Sequence, residues 1–89
     1  MTFTWDDAKR QANLSRHRLD FAEARWVFAG PTFTRPDTRF DYGEARFSTV
    51  GLLGAEVVVI AHTETKDTIH IISMRKAERN ERESYFANL

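Results

Sequence analysis

Apolar and polar positions along this chain follow two different periods, and the change between them splits the sequence. The chain opens with Thr2 to Trp5, a short apolar piece suited to an edge strand. Asp6 is a good N-cap for a helix over Asp7 to His17. A second helix begins near Asp20, which can cap the Glu23 amide while Glu23 reaches back. Phe21, Ala24, Val27 and Phe28 then recur at helical spacing, and Gly30-Pro31 ends the helix. The stretch from Thr32 to Gly43 is ambiguous. Phe33 and Phe40 suggest extended chain, whereas Pro36, Asp37, Asp41 and Gly43 suggest loops. Beyond it the pattern becomes that of strands: Ala45 to Leu53, Val57 to Thr63 and Thr68 to Met74. Gly54-Ala55-Glu56 and Glu64 to Asp67 are the intervening turns, and Ala77 to Asn88 reads as a closing helix with Glu78 and Arg82 four apart. The expected class is α+β, a twisted antiparallel meander with the helices packed on one of its faces.

Length adds a constraint. With 89 residues, one domain over 1–89 is expected, and a chain this short buries only about 60–65% of its unfolded surface. A permanent partner would help such a chain. Hydrophobic residues at 42% and aromatics at 12% are enough for a core. The absence of cysteine removes disulfides, thiolate metal sites and thiol nucleophiles, and fits a reducing cytoplasm. No apolar run approaches the roughly 18–20 residues that span a bilayer, and the first residues lack the pattern of a signal peptide. Thirteen basic residues balance thirteen acidic ones. Any contact with nucleic acid must therefore use local positive charge.

An ordered set of residues resembles the BrnT toxin family. It begins with Trp5-Asp6, Lys9, Asn13 and His17, and continues through Phe21, Glu23-Ala24 and Val27-Phe28. Gly43-Glu44, Arg46 and Gly51 follow. The densest block is Val58-Val59 through His62-Thr63, then Ile71 to Ala77, with Glu81 and Tyr85 behind it. The resemblance implies a RelE-like fold and a metal-independent endoribonuclease that inhibits translation and growth in the cytoplasm. It also implies neutralisation by a BrnA-type antitoxin with a DNA-binding domain, in a heterotetrameric complex. One departure from the family pattern is His70, where relatives often carry arginine.

Metal-free RNA cleavage needs a group to take the 2′-hydroxyl proton, one to protonate the leaving oxygen, and positive charge for the phosphorane. Histidine suits the proton transfers and arginine the charge. A turn centred near Lys66 would set His62 opposite His70, and one centred on Ala55 would set Ser48 opposite His62 and Arg46 opposite Glu64. All would then share one face of the sheet. The candidate catalytic residues are Arg46, His62 and Arg75, with His62 moving the proton; His70, Lys76 and Arg79 are the candidate RNA-binding residues. A register shift of one residue would scatter this patch.

Plainer roles stand beside each assignment. His62 and His70 can be a hydrogen-bonded cross-strand pair, Arg46 and Glu64 an ordinary ion pair, and Arg75-Lys76 a solvated strand end. Trp5, Lys9, Asn13 and His17 can be structural, Glu44 can simply start a strand, and Tyr85 can serve the core, an antitoxin contact or base stacking. The histidines have no zinc-ligand spacing, so neither metal nor cofactor is expected. A Ser48, His62, Asp67 triad can be assembled on paper, but any chain of this size offers such triples. The alternative to an enzyme is a non-catalytic toxin homologue that binds protein or nucleic acid. Zero net charge and the His70 departure favour it, whereas a surface-only inhibitor lacks the apolar stripe it would need.

Overall fold

In the computed structural model, which describes residues 1–89, β1 (Thr2–Trp5) leads into α1 (Asp7–His17). Asp6 caps this helix by accepting the Lys9 amide at 3.0 Å. A 3₁₀ turn over Phe21–Glu23 continues into α2 (Ala24–Phe28). The expected reciprocal cap between Asp20 and Glu23 does not form. The Asp20 carboxylate is held instead by a bidentate pair from Arg10 at 2.7 and 3.0 Å, and by the Ala22 amide.

The ambiguous stretch resolves into β2 (Thr32–Asp37), followed by β3 (Arg46–Leu53), β4 (Glu56–Glu64), β5 (Thr68–Lys76) and α3 (Arg79–Ala87). The five strands lie in the order β1-β5-β4-β3-β2. The meander is antiparallel, but β1 runs parallel to β5, so the sheet is mixed rather than wholly antiparallel. β1 pairs β5 only as far as Ile71. Past that point the buried Asn13 side chain accepts the Met74 amide and donates to the Leu19 carbonyl, each at 3.1 Å. An unpaired buried amide would cost about 1–3 kcal/mol, which explains a polar residue at this depth.

The helices do not share one face. Leu19, Phe21, Ala24 and Val27 pack on Val58, Ile60, Ile69, Ile71 and Met74. On the opposite side, Tyr85 of α3 packs on Val57, Val59 and Ala77, bordered by Val50 and Leu52. The cause lies in β4, where Val57, Val58, Val59 and Ile60 are all buried. A strand apolar on both sides needs a cover on both sides. Gly51 lies beneath α2, and a Cβ there would come within 2.7 Å of Val27 Cγ1 and 2.9 Å of Thr32 Cγ2. No helix is long and apolar enough to cross a membrane.

Register also departs from expectation by one residue. Leu53 faces Glu56 across a loop of Gly54 and Ala55, with Gly54 at φ 62°. A positive φ at the first loop position is the type II′ pattern that favours glycine. Ser48 therefore faces Ala61, and Phe47 faces His62. In the next pair Thr63 faces His70 and His62 faces Ile71, before a bulge at Ile72 sets Ala61 opposite Ser73.

Candidate functional site

α3 covers only part of its face of the sheet. Beyond the apolar patch under Tyr85, the same face turns polar in a cleft of about 330 Å³. Arg35 and Asp37 of β2, Ser48 of β3, Ala61 of β4, Ser73 and Arg75 of β5, and Glu81 of α3 line it. Strict alternation in β2 aims Phe33, Arg35 and Asp37 at this side. Thr34 goes to the other, where its hydroxyl meets that of Thr49 at 2.7 Å. Pro36 is tolerated because β2 is the sheet edge.

Two bidentate pairs fix the cleft's charges. Arg75 holds Glu81 at 2.7 and 2.9 Å, and the Glu78 amide adds a bond at 2.8 Å. The Arg75 hydrogen bonds hold the Glu81 carboxyl down at about 2 against the opposing effect of burial. Arg39 holds Asp37 at 3.0 Å through each of two nitrogens, and those bonds pull Asp37 down to about 2. The same pairs raise the pKa of both arginines. Arg35 has no carboxylate partner. One positive charge is thus left over, on a planar fork that matches phosphate. Carboxylates ionised this strongly are poor proton acceptors near neutrality.

Of the residues singled out in the sequence, Arg75 and Ser48 reach this cleft. His70 lies on the same face, opposite Thr63, which follows Ala61 on that side of β4. Its Nδ1 meets Thr4 Oγ1 at 2.8 Å. His62 is elsewhere. It is 1% exposed on the α1–α2 face, between the rings of Phe28 at 5.2 Å and Phe47 at 5.9 Å. Its Nε2 bonds Thr49 Oγ1 at 2.7 Å, while Nδ1 has no hydrogen-bond partner and lies 4.0 Å from Glu64 Oε1. Burial holds its pKa below the usual 6.5. The expected patch of His62, His70, Ser48 and Arg46 therefore does not form, because the one-residue change of register sends the two histidines to opposite faces.

The other candidates are dispersed. Arg46 faces Asp37 in the ladder rather than Glu64, and its guanidinium lies 4.0 Å over the Tyr42 ring. Lys76 is exposed, pairs across from Val58 and approaches Glu56 at 3.7 Å. Arg79 is exposed and bonded to Glu83 at 3.1 Å. The intrahelical pair expected of Glu78 and Arg82 is replaced by this one, and Arg82 donates to the Ala77 carbonyl. Tyr85 is buried, its hydroxyl donating to the Pro31 carbonyl at 2.7 Å. Sequence reasoning missed Arg35, Arg39 and Ser73. The signal for Arg35 was the alternation Phe33, Arg35, Asp37, which Pro36 obscured. No group of three or more His, Asp or Glu side chains gathers where a metal ion could be held.

Comparison with known proteins bears on the family of the chain. Residues 5–81 match the family described as the ribonuclease toxin BrnT of type II toxin–antitoxin systems. The fold superposes on the crystal structure of the Brucella abortus ribonuclease toxin BrnT with a TM-score of 0.65 and 28% sequence identity, covering 89% of this chain and 99% of that one. No curated protein sequence matches the chain. A family match over most of the length, joined to the same fold in a solved member, means that this chain belongs to the BrnT family of ribonuclease toxins of type II toxin–antitoxin systems.

Proposed function

We propose that this chain cleaves RNA without a metal ion, using the arginine-lined cleft on the α3 face. The observation that carries the reading is the unpartnered Arg35 beside Arg75 and Arg39. Arg35 and Arg75 take the scissile phosphate, and their charge offsets the extra negative charge of the phosphorane. The 2′-hydroxyl attacks phosphorus and the bond to the 5′-oxygen breaks. The products are a 2′,3′-cyclic phosphate and a free 5′-hydroxyl. His70 takes the proton of the attacking 2′-hydroxyl, and the leaving 5′-oxygen takes one from water. With Nδ1 engaged by Thr4, its Nε2 has no protein partner and is open to substrate. Thr63, across from His70, lies about 7 Å along β4 from the cleft residue Ala61, on the same face of the sheet. His62, neutral and sealed, supports the core instead.

Such cleavage in the cytoplasm would arrest translation and growth, and a BrnA-type antitoxin bound to this chain would relieve it. The test incubates purified protein with RNA in excess chelator and identifies the product ends. Cyclic phosphate ends that disappear in Arg35→Ala and His70→Ala support the mechanism; undiminished cleavage in both variants ends it.

A second reading has its own observation. Both carboxylates of the cleft are locked to arginine, so His70 alone is left to move protons. A chain that binds RNA or its antitoxin without cutting, and causes no growth arrest on induction, would be a non-catalytic binding module.

A further inference from the structure

Between β2 and β3, the loop of residues 38–45 carries an aromatic surface that the cleft does not use. Phe40 is 67% exposed. Its ring meets Tyr42 edge-on at 5.8 Å, and the Arg39 guanidinium lies 5.9 Å from its centroid. Arg46 sits 4.0 Å over Tyr42, with its Nε buried and without a hydrogen-bond partner. Together they line a hollow of about 520 Å³. Pro36, Asp37, Thr38 and Arg39 line both this hollow and the arginine cleft, so the two adjoin.

Resting on the reading of the cleft as a phosphate site, we propose that this hollow receives the unpaired base next to the bound phosphate, with Phe40 as its stacking surface. Aromatic rings and guanidinium planes hold splayed bases in this way. The local charge selects a base over a second phosphate. Asp41 spends Oδ1 on the Gly43 amide, leaving its other oxygen free, and the Glu44 side chain is 55% exposed beside Arg46. Carboxylates repel backbone phosphate but accept hydrogen bonds from an exocyclic amino group. Cytosine offers such a group where uracil offers an oxygen, so the hollow favours cytosine of the two pyrimidines.

The experiment uses Phe40→Trp and 2′-O-methyl oligonucleotides, which bind but lack the attacking hydroxyl. Oligocytidine should quench the added tryptophan emission, and oligouridine should do so at clearly higher concentration. Phe40→Ala should bind oligocytidine roughly 5- to 100-fold more weakly, the cost of one stacked base. Equal binding by Phe40→Ala, equal quenching by both oligomers, or no binding at all overturns the proposal. Quenching by the antitoxin but not by oligocytidine does so too, and makes the surface a protein interface. Quenching without any cleavage of ordinary RNA retains the base site and defeats the catalytic reading. Cleavage lost in Arg75→Ala but undiminished in Phe40→Ala does the reverse.

Discussion

The two faces of the sheet each carry a histidine from the same hairpin, in opposite surroundings. His62 faces α2, sealed between Phe28 and Phe47, with its one hydrogen bond going to Thr49. His70 faces the other way, on the side of the sheet that carries the arginine cleft, with its Nδ1 on the Thr4 hydroxyl. One residue type thus serves packing on one face and is available for chemistry on the other. The cause is a side-chain period of two, combined with which faces the helices cover. Conserving a polar group inside a core needs a partner for it, whereas a polar group at a site needs access.

The largest effects should break the comparison on the open face. Arg75→Ala should lower RNA cleavage by roughly 100- to 1000-fold, the loss expected for one charge stabiliser. Because Arg75 also holds Glu81, Arg35→Ala is the cleaner variant: cleavage falls while the melting temperature stays within about 2 °C, since no ion pair is lost. Steady-state cleavage assays and thermal melts check both. Equal cleavage by native protein and Arg35→Ala would remove the cleft from the mechanism.

On the closed face the signature reverses. His62→Ala should cost about 2–4 kcal/mol of stability through the cavity it leaves and the loss of one of the two hydrogen bonds of the Thr49 hydroxyl. Below its lowered melting point, the folded variant should still cut RNA. A fold that is unharmed, with cleavage abolished, would return His62 to the chemistry. Gly51→Ala should cost about 1–3 kcal/mol by forcing Val27 and Thr32 apart, measured by denaturant unfolding. A neutral result would mean that α2 shifts to accommodate a methyl group.

The subtlest test is pH. Burial depresses the His62 pKa, so between that value and 6.5 the unfolded chain binds a proton that the folded chain does not. Stability from this source is full above 6.5 and is lost as pH falls through the folded-state pKa. His62→Gln should flatten that part of the melting curve. A further loss between 4.5 and about 2 belongs to protonation of Glu81 and Asp37, and should persist in His62→Gln. A stability profile unchanged by the substitution would contradict the buried, neutral imidazole.

Much of the fold was legible. Strong β-branched runs gave β4 and β5, Gly54 gave the hairpin, and Asp6 gave the start of α1. The family likeness rested on residues spread across the match. The candidate site was less legible. Arg75 was visible at the end of a strand, but Arg35 lay in a stretch where Pro36 masked an edge strand. His62 was misread because its facing depends on a turn one residue shorter than expected.

By itself, then, the chain determined which segments are helix or strand outside the ambiguous stretch from Thr32 to Gly43, since local period and turn chemistry are written in neighbouring residues. Only the tertiary structure decided that β1 joins β5 in parallel, that α3 covers the opposite face from α1 and α2, and which histidine is buried. Those outcomes depend on contacts between distant segments and on a register whose parity flips with a single residue.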